Sequence, residues 1–165
     1  MSKIHIVFGP QGAGKSTYAQ KLKKELNGVL FSIDDWMWKL YGEDMPQTMN
    51  LKWIMERVDR CEKMIWEISK NVSDGNNEII LDLGFTKRQK RQLFEKLAKD
   101  HSKEVQLHYI DAEHSIRRKR VLERNVNKGS TFSFEVTSGM FDFMEKEFHR
   151  ITESEMKGAI VIDTN

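Results

Sequence analysis

The sequence predicts an α/β fold of three layers, in which helices cover both faces of a parallel sheet. Short apolar segments alternate along the chain with longer amphipathic segments. A near-continuous apolar run is typical of a strand buried on both faces, and alternation of such strands with helices predicts right-handed crossovers. The length of 165 residues suits one domain. We therefore expect a single doubly wound domain over residues 1–165.

Five apolar segments are predicted to be strands: Ile4–Phe8, Val29–Phe31, Ile79–Leu83, Val105–Ile110 and Ala159–Ile162. Five amphipathic segments are predicted to be helices: about Lys15–Leu26, Met49–Val72, Lys87–Lys99, His114–Asn125 and Val136–Arg150. Helical spacing of apolar residues is clearest from Ile54 to Val72. A coiled-coil seam has similar spacing, but this stripe is shorter than three heptads, which favours a core-facing helix.

Composition limits the classes of partner and compartment. The formal net charge is +2, which disfavours a broad nucleic-acid surface because phosphate neutralisation needs clustered cations. The single cysteine, Cys61, cannot form an intrachain disulfide and is expected on a buried helix face. No apolar run approaches the ~20 residues of a membrane span, and no targeting pattern opens the sequence. A cytosolic protein with no membrane partner is expected.

Residues Gly9–Ser16 match the phosphate-loop pattern G-x-x-x-x-G-K-[ST] at every fixed position. The motif follows a predicted strand and precedes a predicted helix, which is the context that the motif requires. Glycines let consecutive N–H groups point at phosphate oxygens, Lys15 reaches the β- and γ-phosphates, and the Ser16 hydroxyl ligates Mg²⁺. The predicted nucleotide-binding residues are Gly9, Gln11, Gly12, Ala13, Gly14, Lys15, Ser16 and Thr17. For Thr17, an ordinary position in the first helical turn is an equal alternative.

A pair of carboxylates, Asp34 and Asp35, follows the second predicted strand. Ligands of such sheets bind beyond the carboxyl ends of the strands, so this pair is predicted near the terminal phosphate. A carboxylate there can accept the proton of an attacking hydroxyl group. The alternative role is N-capping of a helix over Trp36–Tyr41. One residue can cap while the other is catalytic, and Asp34 is the favoured base.

The third predicted strand leads into Asp82, the position of a Walker B carboxylate that holds Mg²⁺ or its water. The next residue is Leu83, where many ATP-hydrolysing proteins have a glutamate that activates water. This difference favours transfer to an alcohol over hydrolysis. An aspartate at the end of a strand also forms turns, so the assignment depends on the spatial arrangement.

The segment from His114 to Gly129 is rich in basic residues. Arg120, Arg124 and Lys128 are four positions apart and would share one face of a helix. A cationic face over the γ-phosphate would stabilise charge during transfer, so Arg120 and Arg124 are predicted catalytic residues and Lys128 a nucleotide-binding residue. A solvated helix face is the first alternative, and a nucleic-acid patch is the second.

With these motifs together, the chain resembles the small P-loop kinases of the adenylate-kinase-like class, and more narrowly the AAA_33-type family. Relatives of that family include 5′-polynucleotide kinases, zeta toxins and chloramphenicol phosphotransferase. The motifs that carry the resemblance are Gly9–Ser16, Ser32-Ile33-Asp34-Asp35, Leu81-Asp82-Leu83-Gly84, and Glu123-Arg124-Asn125 with Lys128-Gly129. The resemblance implies a P-loop NTPase sheet of order 2-3-1-4-5 and a mobile helical lid over about residues 114–133.

Carried over by position, the resemblance matches Asp34 to the general base and Arg124 to a lid arginine. Two positions depart from the pattern of polynucleotide kinases. Lys128 stands where they have a second lid arginine, and Met37 stands where an arginine grips the phosphate of the acceptor. The second departure disfavours a polynucleotide acceptor and suggests an apolar acceptor wall. Candidate aromatic residues for that wall are Trp36, Trp38, Tyr41, Phe132 and Phe134, although core packing is favoured for each of them.

The sequence thus predicts an ATP- and Mg²⁺-dependent phosphotransferase. The expected acceptor is a hydroxyl group of a small molecule, such as a nucleoside, a nucleotide sugar or an antibiotic. A polynucleotide 5′-hydroxyl kinase is the alternative enzyme. An ATP-gated binding module that transfers no phosphate is the alternative of another class.

Overall fold

The computed structural model describes residues 2–128 and 135–165. Five strands form one parallel sheet in the order β2-β3-β1-β4-β5, which confirms the predicted topology. The strands are β1 Lys3–Phe8, β2 Val29–Ser32, β3 Ile79–Asp82, β4 Glu104–Asp111 and β5 Ile160–Asp163. Because all the strand pairs are parallel, the carboxyl ends of the five strands lie together at one edge of the sheet.

The described helices are α1 Lys15–Leu26, α2 Ile33–Tyr41, α3 Leu51–Asp74, α4 Arg88–Asp100, α5 His114–Asn127, α6 Ser138–Glu147 and α7 Glu153–Met156. Helix α6 is shorter than predicted because Thr137 caps its first turn and Phe148 is extended. The four-residue helix α7 was not predicted, since it is too short for an apolar stripe. Within the described ranges, no helix combines the length and the apolarity needed to cross a bilayer.

The two faces of the sheet are covered by different helices. On one face, Ile6 and Phe8 of β1 belong to a core that includes Cys61 and Ile65 of α3. On the other face, Val7 packs in a second core with residues of α1. The alternation of neighbouring β1 residues between the two faces follows from the pleat of a strand. The predicted stripe of α3 therefore faces the core.

A row of hydrogen-bonded polar side chains lies on the face of the sheet that α1 covers. The Tyr18 hydroxyl is 2.8 Å from His108 Nδ1, and His108 Nε2 is 2.9 Å from His5 Nδ1. His5 Nε2 is in turn 2.9 Å from a carboxylate oxygen of Glu78. Desolvation by burial, together with the neighbouring His5, lowers the pKa of His108 to about 4. The buried imidazole of His108 is therefore neutral at pH 7, and its two ring nitrogens are both hydrogen-bonded.

Candidate active site

A cavity of about 260 Å³ opens at the carboxyl edge of the sheet. The loop between β1 and α1 forms its floor, and residues from α2, the end of β3, α5 and α6 form its walls. Its lining consists of Gly9, Gln11, Gly12, Gly14, Lys15, Ser16, Thr17, Ile33, Asp34, Asp82, Gly84, Thr86, Arg124, Met144, Glu147 and Phe148. Most residues predicted to bind nucleotide are thus brought to one cavity.

Glycine is required at two positions of the phosphate loop for different reasons. A Cβ atom at Gly9 would lie 1.9 Å from the Ile110 carbonyl oxygen, so the backbone can pass β4 only without a side chain. Gly12 has φ +78°, and a Cβ atom there would lie 2.5 Å from the Arg117 carbonyl oxygen of α5. The loop is therefore held closely between β4 and α5. Its remaining N–H groups and the start of α1 form a concavity suited to an anion.

Ala13 belongs to the predicted phosphate loop but does not line the cavity, and its backbone groups are hydrogen-bonded elsewhere. Its N–H donates to the Pro10 carbonyl at 3.2 Å, and its carbonyl accepts a 2.8 Å hydrogen bond from the Thr164 hydroxyl. Its side chain is buried. In this arrangement Ala13 shapes the loop, while its neighbours face the cavity.

The Lys15 ammonium group lies against the loop and donates a 3.1 Å hydrogen bond to the Pro10 carbonyl. Burial lowers the pKa of Lys15, and the nearby carboxylates of Asp82 and Asp34 oppose this effect. A cation held at the bottom of a cavity between two carboxylates can bridge phosphate oxygens that replace part of its solvation.

Ser16 and Asp82 form the expected pair of oxygen ligands. The Ser16 hydroxyl donates to Asp82 Oδ2 at 2.9 Å, and Asp82 is buried at the end of β3. Burial raises the pKa of Asp82, while Lys15 and the bond from Ser16 lower it. No cluster of three or more potential metal-ligating side chains occurs among the described residues. Mg²⁺ fits such a site, because it is commonly held by one or two protein oxygens together with waters and substrate phosphates.

Asp34 and Asp35 are consecutive residues of one helix, but their side chains have different environments. Helix α2 begins at Ile33, and Ser32 caps it by accepting a hydrogen bond from the Asp35 N–H. The Asp35 carboxylate pairs with Lys39 at 2.8 Å, one turn along the exposed face. Asp34 instead lines the cavity. The predicted capping role thus belongs to Ser32, and of the two carboxylates only Asp34 faces the cavity.

The Asp34 side chain lines the cavity and is accessible to solvent, with the protein close enough to desolvate its carboxylate in part. This partial desolvation raises its pKa, and the positive charges of Lys15 and Arg124 oppose the rise. A carboxylate with a raised pKa is a stronger base once ionised. Asp34 therefore has the position and the electrostatic surroundings of a proton acceptor.

Arg124 reaches the cavity because α5 is fixed against the phosphate loop. Arg117, which is 0% exposed, donates to the Gln11 carbonyl at 3.2 Å and makes a bidentate ion pair with Glu145, with both distances 2.7 Å. Arg124 follows about two helical turns later on the same face. Its guanidinium donates no hydrogen bond within the described ranges, and its pKa is lowered by burial although Asp34 raises it.

The structure does not bring the other two predicted cations into the cavity. Arg120 donates to the hydroxyl of Thr164 at 2.9 Å and also to the Thr164 carbonyl, which holds the last strand against α5. Lys128 is exposed at the C-cap of α5, where its φ is +40°. Although Arg120, Arg124 and Lys128 are equally spaced on the helix, only Arg124 lines the cavity. Residues 129–133 of the predicted lid lie outside the described residues.

The aromatic candidates mostly pack elsewhere. Trp36 contacts Phe31 with ring centroids 6.2 Å apart, and Tyr41 contacts Trp53 at the same separation. Trp38 is exposed and does not line the cavity. Phe132 and Phe134 lie outside the described residues. Met37, at the position that departs from the polynucleotide-kinase pattern, is buried in the core and forms no part of the cavity wall.

The sequence reasoning missed the part of the cavity wall that comes from the β3–α4 loop and the end of α6. These residues are Gly84, Thr86, Met144, Glu147 and Phe148, together with Ile33 of α2. Gly84 and Phe85 have φ of +82° and +42°, which turns the chain sharply after Asp82. The glycine after a strand was a usable signal for this turn. The contribution of α6 depends on packing across more than fifty residues and left no local signal.

Contacts with the core and with the segment after α6 hold this loop. Phe85 is 1% exposed and packs its ring against Phe94 at 5.2 Å. The buried Arg91 donates to the Phe85 carbonyl at 3.1 Å. The His149 N–H donates to the Thr86 carbonyl at 2.9 Å, and Lys87 pairs with Glu147 at 2.6 Å. The end of α6 is therefore fixed beside the β3–α4 loop.

Comparison with known proteins agrees with this arrangement. Residues 4–151 match the family model AAA_33, described as an AAA domain. No curated protein sequence matches this chain.

Solved structures with the same fold include small kinases. The chain is similar to APS kinase from Mycobacterium tuberculosis, with a TM-score of 0.66 and 13% identity over 99% of this chain and 90% of that one. It is similar to Kti12 from Chaetomium thermophilum, with a TM-score of 0.71 and 14% identity over 98% and 89% of the two chains. A sugar kinase from Janibacter sp. HTCC2649 gives 0.63 and 15% over 99% and 86%. At these identities the similarity establishes the fold.

Proposed function

This chain belongs to the AAA_33 family of AAA domains, and we propose that it is an ATP-dependent phosphotransferase that moves the γ-phosphate of ATP to a hydroxyl group of a small molecule. The observation that carries the proposal is the position of Asp34. Its carboxylate lines the same cavity as Lys15, Arg124 and the Ser16–Asp82 pair. A binding module needs the phosphate-holding groups but has no need of a base beside them.

In the proposed reaction, the phosphate loop and Lys15 bind the triphosphate and orient its terminal phosphorus. Mg²⁺ held near Ser16 and Asp82 would neutralise phosphate charge. Asp34 accepts the proton of the acceptor hydroxyl, whose oxygen forms a bond to the γ-phosphorus as the bond to the β–γ bridging oxygen breaks. Arg124 stabilises the negative charge on the transferring group. The products are ADP, the phosphorylated acceptor and a proton on Asp34.

A small acceptor is favoured over a polynucleotide by two observations. The side chain of Met37 is in the core, so this position provides no cation for a phosphate of the acceptor. The formal net charge of +2 also supplies little of the phosphate neutralisation that nucleic-acid binding requires.

The test is transfer of label from γ-labelled ATP to a panel of nucleosides, nucleotide sugars, aminoglycosides and 5′-hydroxyl oligonucleotides. Asp34→Asn should abolish acceptor labelling while nucleotide still binds. Asp35→Asn is the matched control, because it removes the neighbouring carboxylate from the exposed face of the same helix. Equal transfer by Asp34→Asn and the unmodified protein would refute the assigned base. Conformational closure on ATP without labelling of any acceptor would support a binding module instead.

A further inference from the structure

The residues that line the cavity fall into two groups of different chemical character. The first group contains Lys15 and Arg124, which are the lysine and arginine residues that line the cavity in the described part of the chain. We call a second part of the lining the outer wall and define it as Ile33, Gly84, Thr86, Met144, Glu147 and Phe148. An acceptor hydroxyl that reaches the γ-phosphate from beside Asp34 would be surrounded by this wall.

The outer wall contains a carboxylate and no lysine or arginine. Glu147 is its ionisable residue, and the hydrogen bond from Lys87 holds the pKa of Glu147 below its usual range. Lys87 itself does not line the cavity, and its ammonium group is engaged by Glu147 at 2.6 Å. Together with Asp34, the wall therefore presents carboxylate oxygens to the bound acceptor, while the ammonium group that balances Glu147 lies outside the lining.

An anionic acceptor would find no lysine or arginine among the residues of the outer wall, because the nearby cation of Lys87 is already paired with Glu147. Proteins that recognise phosphate, sulfate or carboxylate groups ordinarily use arginine or backbone N–H groups for them. In this cavity the two cations are positioned for the triphosphate. Like charges close together repel each other, so the outer wall selects against an acceptor with an anionic group beside its reacting hydroxyl.

The remaining groups of the wall suit a compound with several hydroxyl groups. Thr86 offers a hydroxyl that can donate and accept, and Glu147 offers carboxylate oxygens that accept from O–H or N–H donors. Met144 and Phe148 offer apolar and aromatic surface for the carbon framework of a ring. The contacts that fix the β3–α4 loop to the end of α6 preorganise these groups, which lowers the entropic cost of binding.

Resting on the phosphotransferase function proposed above, we infer that the acceptor is an uncharged or positively charged polyhydroxyl compound, and that Thr86 and Glu147 bind hydroxyl or amino groups other than the one phosphorylated. Sugars, amino sugars and nucleosides meet this description. Sugar acids, sugar phosphates and nucleotides do not.

The experiment measures label transfer from γ-labelled ATP to matched sets of acceptors that differ in charge. Each set contains a neutral sugar, its amino sugar, its uronic acid and its phosphate, and a second series pairs nucleosides with their monophosphates. The neutral or cationic member of a set should exceed the anionic members in kcat/KM by about tenfold or more. Comparison of the neutral sugar with the amino sugar shows which of the two is preferred.

The variant Glu147→Gln tests the residue directly. It removes the negative charge and releases Lys87, so the preference against anionic acceptors should shrink, with most of the change in KM. Glu67→Gln is the matched control, because Glu67 forms a similar 2.8 Å pair with Lys70 on the exposed face of α3, away from the cavity. Thermal unfolding of both variants verifies that they are folded. The acceptor panel with the unmodified protein stands independently of them.

The outcomes separate this inference from the function on which it rests. Preferential labelling of a sugar acid, sugar phosphate or nucleotide would overturn the inference and leave the phosphotransferase function standing. An unchanged charge preference in Glu147→Gln would remove the assigned role of Glu147. If ATP binds and no member of the panel is labelled, the proposed function fails and the inference fails with it.

Discussion

The hydroxyl group of Ser16 donates a 2.9 Å hydrogen bond to the carboxylate of Asp82, joining the first turn of α1 to the end of β3. The two residues are far apart in the sequence, yet both would hold the same Mg²⁺ ion in the proposed site. The pair also connects the phosphate loop to the strand that leads into the outer wall. A substitution in this pair is therefore the most direct way to distinguish nucleotide binding that depends on Mg²⁺ from nucleotide binding that does not.

We predict that Asp82→Asn weakens binding of ATP in the presence of Mg²⁺ by at least about tenfold, because an ionised oxygen ligand is lost. In EDTA the variant should bind ATP at least as well as the unmodified protein, since a negative charge near the phosphates has been removed. Calorimetric titration with and without Mg²⁺ measures both effects. Asp100→Asn is the control, because Asp100 pairs with Lys96 on the exposed surface of α4. An equal loss in EDTA would contradict the metal role.

Arg124 and Arg120 should respond differently to substitution. Arg124→Ala is expected to lower kcat on the order of 10³-fold, as loss of an arginine that stabilises the transferring phosphate does. Arg120→Ala should change kcat little and should lower the free energy of unfolding by about 1 kcal/mol, because its hydrogen bonds to Thr164 are lost. Steady-state kinetics and denaturant unfolding of both variants test this contrast. Similar kinetic losses in the two variants would contradict it.

The activity should fall in acid with the titration of Asp34. Partial burial raises the pKa of Asp34 above 3.8, so the acidic limb of kcat/KM should lie above that pH. Arg124 lowers this pKa, so replacing the arginine should raise the pKa and move the limb to higher pH.

A pH profile of kcat/KM for the unmodified protein and for Arg124→Gln provides the measurement. Arg118→Gln is a charge-matched control on the same helix, because Arg118 bonds to Ser138 and does not line the cavity. If the acidic limb of the profile lies at the same pH in Arg124→Gln as in the unmodified protein, the titration that it reports is not that of Asp34.

Stability should fall in acid through His108. Its pKa is about 4 in the folded protein and 6.5 in an unfolded chain, so the unfolded state binds the proton first as the pH drops. The free energy of unfolding should therefore decrease between about pH 6.5 and pH 4, by about 3 kcal/mol at most from this group, and level off below that range. Denaturant unfolding across this range measures the slope. His108→Gln should reduce the slope across this range.

Much of this arrangement could be predicted from local sequence. The phosphate loop follows from a complete motif between a strand and a helix, and the positions of Asp34 and Asp82 follow from the rule that parallel strands end at the ligand edge. The strand order came from a family resemblance. These features depend on short segments and on topology, which the sequence pattern contains.

What could not be predicted depends on packing between distant segments. Arg120 and Arg124 share one helix face by spacing, and Thr164 at the other end of the chain decides that only Arg124 is available to the cavity. Glu147 and Phe148 reach the cavity because Arg117 and Glu145 bind α6 to α5. Ser32 was missed as the cap of α2 because two aspartates beside it are equally good capping residues.

Phe85 links the specificity of this protein to positions that no acceptor touches. The backbone of Phe85 has a φ of +42°, a conformation that costs a residue with a side chain on the order of 1–3 kcal/mol. The packing of the Phe85 ring against Phe94 offsets that strain. A smaller residue at position 94 would let the backbone relax and would move Thr86 and the outer wall beside it. Natural variation beneath the sheet can therefore change acceptor choice during evolution while every residue facing the cavity stays the same.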